Sequence, residues 1–232
     1  MVGQIAKTSR TDANRAKLQT RPATIADIPF LAKIQYEAML PPTNTCFWDD
    51  LLQNTPSDSL QFIAAMLEAD ASNWGKVTDF IILEEEGRPL AGAAGYSPYA
   101  EEYHPLNLTK IDAIAQILGW STAETVSFRT HYEQFWSRGS LEFLKPVAPW
   151  TIETVAVLPE ARGRGLGKVL IKALLEAGRS RQYDRAGLMV INGNEIARRT
   201  YESLGFKPYQ AFYADYFENQ FVGVTKFRFA LN

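Results

Sequence analysis

The chain has 232 residues, 46% hydrophobic and 22% charged, enough for one large core and so for a single embellished domain. Its 24 basic and 26 acidic side chains leave a formal net charge of −2, so no overall field draws it to nucleic acid or to a membrane surface. The only cysteine, Cys46, excludes an intramolecular disulfide, no charged n-region with a following apolar stretch opens the chain, and apolar runs such as Phe62 to Leu67 fall far short of the roughly 20 residues that cross a bilayer. A cytoplasmic setting without membrane contact is the expectation.

Residues 1–20 read as a flexible tail carrying Lys7, Arg10, Arg15 and Lys17 against Asp12. From Arg21 a short extended piece leads to a helix start at Asp27, with Pro29 in the first turn and Ile28, Leu31, Ile34 and Ala38 as its apolar positions. A second helix beginning near Asp49 or Ser57 carries Leu60, Ile63, Ala64 and Leu67 and breaks at Asn73 and Gly75. "DFIILEEEGRPLAGAAGYSPY" predicts a hairpin around Glu86-Gly87-Arg88.

Residues 99–148 have a different pattern and predict an inserted helical hairpin. Its first helix has Ile111, Ile114 and Leu118 on one face and stops at Gly119; its second opens on the capping pair Ser121 and Glu124 and carries Phe128, Tyr132, Phe135 and Trp136. That surface needs cover, either by shaping an acceptor pocket or, as the rival role, in a homodimer.

"PWTIETVAVLP" alternates as a strand with Thr151, Glu153, Val155 and Val157 on one side and Ile152, Thr154 and Ala156 on the other. "PEARGRGLGKVL" follows directly, then a helix through Val169, Leu170, Ala173, Leu174 and Ala177, then the buried strand "AGLMVI". Asn194 starts a further helix bearing Ala197, Tyr201 and Leu204 and ending at Gly205, and two aromatic-rich strands, Tyr209 to Phe217 and Phe221 to Leu231, close the chain. The pattern is α/β with a mixed sheet.

Gly163, Gly165 and Gly167 allow tight turns and close backbone approach, and the helix behind them offers unpaired N–H groups and a positive dipole end, the requirements of a phosphate site. Residues 160–185 hold seven bases against three acids, a local excess of four. Spacing excludes two familiar phosphate loops: Arg162 and Val169 stand where a Walker loop needs Gly and Ser or Thr, and Lys168 stands where the dinucleotide pattern needs its third Gly.

Arg162-Gly163-Arg164-Gly165-Leu166-Gly167 after "TVAVLPEA", with "NEIARRTYESLGF" some twenty-five residues on, resembles the two linked motifs of the GNAT superfamily of N-acetyltransferases. The resemblance implies a mixed, mostly antiparallel sheet with a parallel central pair flanked by helices, here one domain over 21–232 carrying the insert. It implies acetyl-CoA as co-substrate, its pyrophosphate on Arg162, Gly163, Arg164, Gly165, Leu166, Gly167 and Lys168. The backbone of Val155, Ala156 and Val157 would hold the pantetheine, and Asn194 would add a polar contact unless it only caps its helix.

Acetyl transfer to an amine needs a proton acceptor, a stabilised oxyanion and a proton donor to the leaving thiolate. Glu153, an acid in an apolar strand, is the candidate base, with a structural hydrogen-bonding role as its alternative. Tyr201 matches the family's general acid, with aromatic packing as its alternative, and the Val155 N–H at a strand bulge would face the oxyanion. Around Cys46, "TNTCFW" shows no partner for a nucleophile, and His104 and His131 are too few and too poorly spaced for a metal site, so no metal is expected. An RNA-binding loop would interleave aromatics with its cations, and 160–180 has none. A non-catalytic acyl-CoA-binding regulatory domain is the alternative function. Among acceptors, small amine, amino acid or protein amino group, a small molecule is favoured.

Overall fold

The computed structural model describes residues 18–98, 103–137 and 141–232. Seven strands form one sheet in the order β1-β2-β3-β4-β5-β7-β6: β1 Leu18–Pro22, β2 Phe80–Glu85, β3 Arg88–Tyr96, β4 Trp150–Val157, β5 Arg185–Ile191, β6 Lys207–Tyr213 and β7 Gly223–Ala230. Every neighbouring pair is antiparallel except β4 and β5. The first strand begins inside the expected tail, with Leu18 opposite Glu85, and the rest of that tail, 1–17, lies outside the described residues. Arg21 fixes the edge strand by bonding both Glu84 and Asp27, at 2.7 and 2.8 Å.

The β2–β3 hairpin turns through Glu86 and Gly87, both at positive φ (51° and 78°), the pair of conformations that matches the twist of two-residue hairpins. Among the described residues the α-helices are α1 Ile28–Met39, α2 Phe47–Leu51, α3 Ser59–Glu68, α4 Ile111–Leu118, α5 Thr122–Trp136, α6 Leu166–Ser180 and α7 Glu195–Ser203. The single second helix expected from Asp49 or Ser57 is thus two, and Asp58 caps the longer by accepting from the Gln61 N–H at 2.8 Å. Gly119 ends α4 in the left-handed region, and Ser121 and Glu124 exchange the hydrogen bonds of a capping box at the start of α5, as their spacing predicts. At the C-terminal hairpin, β6 stops at Tyr213 and β7 starts at Gly223, because 214–217 wind into a single 3₁₀ turn.

Two cores sandwich the sheet. On one face α6 packs through Leu170, Ile171 and Leu174 against Trp150 and Ile152, and Tyr201 of α7 joins this core. On the other, α1 to α3 meet Phe80, Ile82 and Ala94. The insert buries its helices in this second core: Phe62 of α3 stacks with Trp120 and tilts against Phe128, and Trp48 of α2 stacks with Tyr132. The Trp120 indole also donates to Ser57 Oγ at 2.9 Å. Much of the apolar surface that would have called for a second copy is therefore covered within the chain.

Candidate active site

The site is built where β4 and β5 part. Their parallel ladder holds only Trp150 with Ala186 and Thr151 with Gly187, so from Ile152 to Val157 the side of β4 that faces β5 has no strand partner. A cleft opens between them. On its other side β4 pairs with β3, but Glu153 lies opposite Ala94 and Ala156 opposite Gly92, so Thr154 and Val155 share the single partner Ala93. This is a β-bulge, and Thr154 stands in it at φ 52°.

The bulge corrects the alternation expected from the sequence. Thr151 and Glu153 face one side of the sheet, whereas Val155 and Val157 pack with the α6 core on the other. Two residues against one partner shift the side-chain period by one, so the strand changes faces at Thr154. One strand thus serves a glycine loop beyond the bulge and a cavity before it.

Beyond the bulge, Gly163 and Gly165 both take φ 76°, which side chains rarely adopt, so these glycines are required by conformation. Gly167 is different. A Cβ built there would meet only Val157 Cγ2, at 4.0 Å, and its backbone angle is ordinary, so the protein itself gives no reason for a bare backbone. The missing side chain leaves open the first turn of α6, where the Leu166 and Gly167 N–H groups have no intrahelical acceptor. Glycine loop, open amides and parted strands fit the phosphates and extended arm of acetyl-CoA.

The loop's charge is smaller than a count of bases implies. Arg162 donates to Glu37 at 2.6 Å and to the Val157 carbonyl, and Arg164 grips Glu85 with two hydrogen bonds, at 2.5 and 3.2 Å. Arg179 and Arg185 likewise meet Glu176 and Asp184. Among the described residues, Lys168, Lys172 and Arg181 are left without an ion pair, and Arg181 lies over the Trp150 ring, away from the loop's glycines. Asn194 caps α7, accepting from the Ala197 N–H at 3.1 Å through Oδ1, which leaves its amide nitrogen for another contact.

Before the bulge, Glu153 lines a cavity whose floor also carries Thr151 and Met189, with Tyr96 and Trp74 among its walls and Lys226 at its far side. Burial pushes the Glu153 carboxyl up to about 7, opposed by the charge of Lys226. Tyr201 does not line this cavity; it is buried on the α6 side, its phenol held above the ordinary value first by burial and then by the charge of Glu153. Its hydroxyl makes no hydrogen bond among the described residues. Cys46 is buried beside Met39 with its thiol pushed up to about 12 by burial, and so holds no thiolate at neutral pH. Among the described residues no three His, Cys, Asp or Glu side chains gather as metal ligands, and no helix is long and apolar enough to cross a membrane.

The cavity's remaining wall comes from the exit of the insert. Lys226 donates to the Glu142 and Lys145 carbonyls at 2.9 and 2.8 Å, and Arg228 to the Val147 carbonyl at 2.5 Å, so two bases of β7 hold 142–147 down on the sheet. Gly187 admits this crossing, since a Cβ there would lie 2.9 Å from Val147 Cγ2. Sequence reasoning missed Lys226, Tyr96 and this segment. The one legible signal was a lysine within the apolar alternation of "VGVTKFRF".

Comparison with known proteins agrees with this geometry. The profile of the acetyltransferase (GNAT) family matches residues 45–206. The chain belongs to that family. Its members are acetyl-CoA-dependent N-acetyltransferases, the class that the two linked motifs imply. A mycothiol acetyltransferase of Thermobispora bispora is 49% identical over 55 residues, which is 24% of this chain and only 19% of that protein. An N-acetyltransferase of Staphylococcus aureus Mu50 shares the fold, with TM-score 0.57 and 18% identity over 91% of this chain and 100% of its own. So does the Salmonella typhimurium protein yncA with its cofactor acetyl-CoA, with TM-score 0.53 and 16% identity over 94% of this chain and 95% of its own. The GNAT architecture, with its parallel central pair, is that of the present sheet.

Proposed function

We propose that the chain transfers an acetyl group from acetyl-CoA to the amine of a small molecule by direct attack, with Glu153 as base and Tyr201 as acid. The observation that carries this reading is the bulge: it sets a carboxyl poised near neutral pH at the mouth of a cavity, one residue from the strand segment that leads to the glycine loop. Val155, Ala156 and Val157 would hold the pantetheine arm through their backbone, and Arg162 to Lys168 with Asn194 the phosphate end. When bound, acetyl-CoA supplies an activated acyl carbon with a thiolate leaving group.

The chain's residues handle the protons. An acceptor amine, protonated in water near its usual pKa of about 10, gives one proton to Glu153, directly or through water, and its lone pair is then free to form the C–N bond. As the C–S bond breaks, Tyr201 hands its proton to the sulfur, and the second proton lost by the nitrogen restores the tyrosine through solvent. The Val155 N–H at the bulge faces the charge that develops on the carbonyl oxygen. A carboxyl near 7 suits this work, since it is partly ionised at neutral pH and still basic.

The cavity favours a small acceptor over a protein terminus, because the exit segment 142–147 is held down on the sheet and walls one side of it. The test is release of CoA from acetyl-CoA across a panel of amines. Amine-dependent release supports the reading; binding of acetyl-CoA with no release for any acceptor supports the regulatory alternative.

A further inference from the structure

The cavity holds two polar groups that the protein compensates only in part. Lys226 is 3% exposed, and among the described residues it makes no salt bridge; its hydrogen bonds go to two carbonyls, its ammonium lies 5.1 Å from the centre of the Phe212 ring, and an ammonium has three donors. The Thr151 hydroxyl, also buried, has no hydrogen-bond partner among the described residues. Both line the same cavity as Glu153.

The sheet register sets their spacing. Met189 pairs with Lys226, and continuing the parallel register of Thr151 with Gly187 by two residues brings Glu153 level with Met189. Glu153 and Lys226 therefore stand at a similar height on strands two apart, with the opening between β4 and β5 separating their backbones further than two paired strand spacings, and their side chains meet one cavity. Thr151 lies one step below Glu153 on the same face. The walls between them, Trp74, Tyr96, Phe143 and Leu144, are apolar or aromatic.

We infer that Lys226, with Thr151, recognises a carboxylate on the acceptor, so that the substrate class is an α-amino acid with an apolar or aromatic side chain. This rests on the acetyltransferase reading and deepens it. The amine of such an acceptor meets Glu153, its carboxylate takes the remaining donor of Lys226 and the hydroxyl of Thr151, and its side chain lies against the aromatic walls. A buried ammonium without a counter-charge is costly, and a bound carboxylate removes that cost. Of the charged groups that face Lys226, Glu142 and Glu153 favour its ammonium form and Lys145 opposes it; burial brings it down to about 8, which leaves it mostly charged at neutral pH.

The test compares matched pairs that differ only in the carboxylate: phenylalanine with phenethylamine, tyrosine with tyramine, leucine with isoamylamine. CoA release is followed with the full-length protein and acetyl-CoA, and binding of acetyl-CoA is measured separately. The inference expects the carboxylated member to be favoured in kcat/KM by roughly ten- to a hundred-fold, the size of a charge-assisted hydrogen bond. Lys226→Met should abolish the preference, and Lys226→Arg should retain part of it. Because the wild-type comparison alone decides the matter, a poorly folding Lys226→Met does not block the test. Equal or reversed preference overturns the inference, as does turnover of other amines with no member of any pair accepted; failure of acetyl-CoA to bind, or binding with no release for any amine, overturns the underlying reading instead.

Discussion

The two halves of β4 make an instructive contrast. Beyond the bulge, everything the strand serves is local in sequence: Val155 and Val157 run into the glycine loop, and the loop runs into α6. Before the bulge most partners are distant in sequence. Thr151 and Glu153 share their cavity with Tyr96 of β3, Met189 of β5, Lys226 of β7 and the insert's exit at 143–147. The loop half, which in the proposed function holds its ligand with backbone amides, is set by glycine spacing. The cavity half uses side chains brought together only by the sheet.

Glu153→Gln should give the largest effect and the sharpest separation of the halves. With a general base removed, amine-dependent turnover is expected to fall about 10²- to 10⁴-fold while acetyl-CoA affinity stays at the wild-type value. In the wild type, kcat/KM should fall on the acid side with a midpoint near about 7, and Glu153→Gln should lose that limb. A limb unchanged in the variant would move the base elsewhere.

Next in size is Tyr201→Phe, which keeps the buried ring and removes the proton donor. A drop in kcat of about 10²-fold with no change in acetyl-CoA affinity is expected from steady-state kinetics and titration. Weakened affinity with normal kcat would make the tyrosine a packing residue of the α6 core.

A smaller effect tests the burial of Glu153 without any substrate. The folded carboxyl binds its proton more tightly than the unfolded one, ordinarily near 4.5, so the folded state carries more protons between about 4.5 and 7. The contribution of this group to stability is therefore present below that window and is lost as pH rises through it. Denaturant unfolding at pH 5 and pH 8 should show Glu153→Gln losing less stability than the wild type across the interval. Parallel losses would place the carboxylate in water.

The same contrast explains what could be read from the sequence. The glycine loop, the Ser121 capping box, the Gly119 stop and the α6 apolar face are set by residues within a few positions of each other, and each is found where its spacing put it. Glu153 was legible as an acid in an apolar strand. The face change at Thr154 was not, because a bulge depends on the partner strand, and Ala93 lies some sixty residues upstream. Lys226 was hidden for the same reason: only pairing of β7 with Met189, and the fold-back of 142–147, turn a lone lysine into part of a cavity. The charge of Arg162 and Arg164 was overcounted because Glu37 and Glu85, their partners, come from α1 and β2.

The smallest structural perturbation gives the most direct test. Gly167 has ordinary backbone angles and free space around its missing Cβ, so Gly167→Ala should leave the fold intact and stabilise α6 by about 0.5–1 kcal/mol through helix propensity. Gly167→Val should also fold, while its side chain fills the space over the first-turn amides. The deciding measurement is an equilibrium titration of acetyl-CoA into Gly167→Val beside Glu153→Gln. A loss of affinity of about tenfold or more in the first, with wild-type affinity in the second, is the result predicted for a strand whose two halves do separate work. Wild-type affinity in a folded Gly167→Val would contradict it.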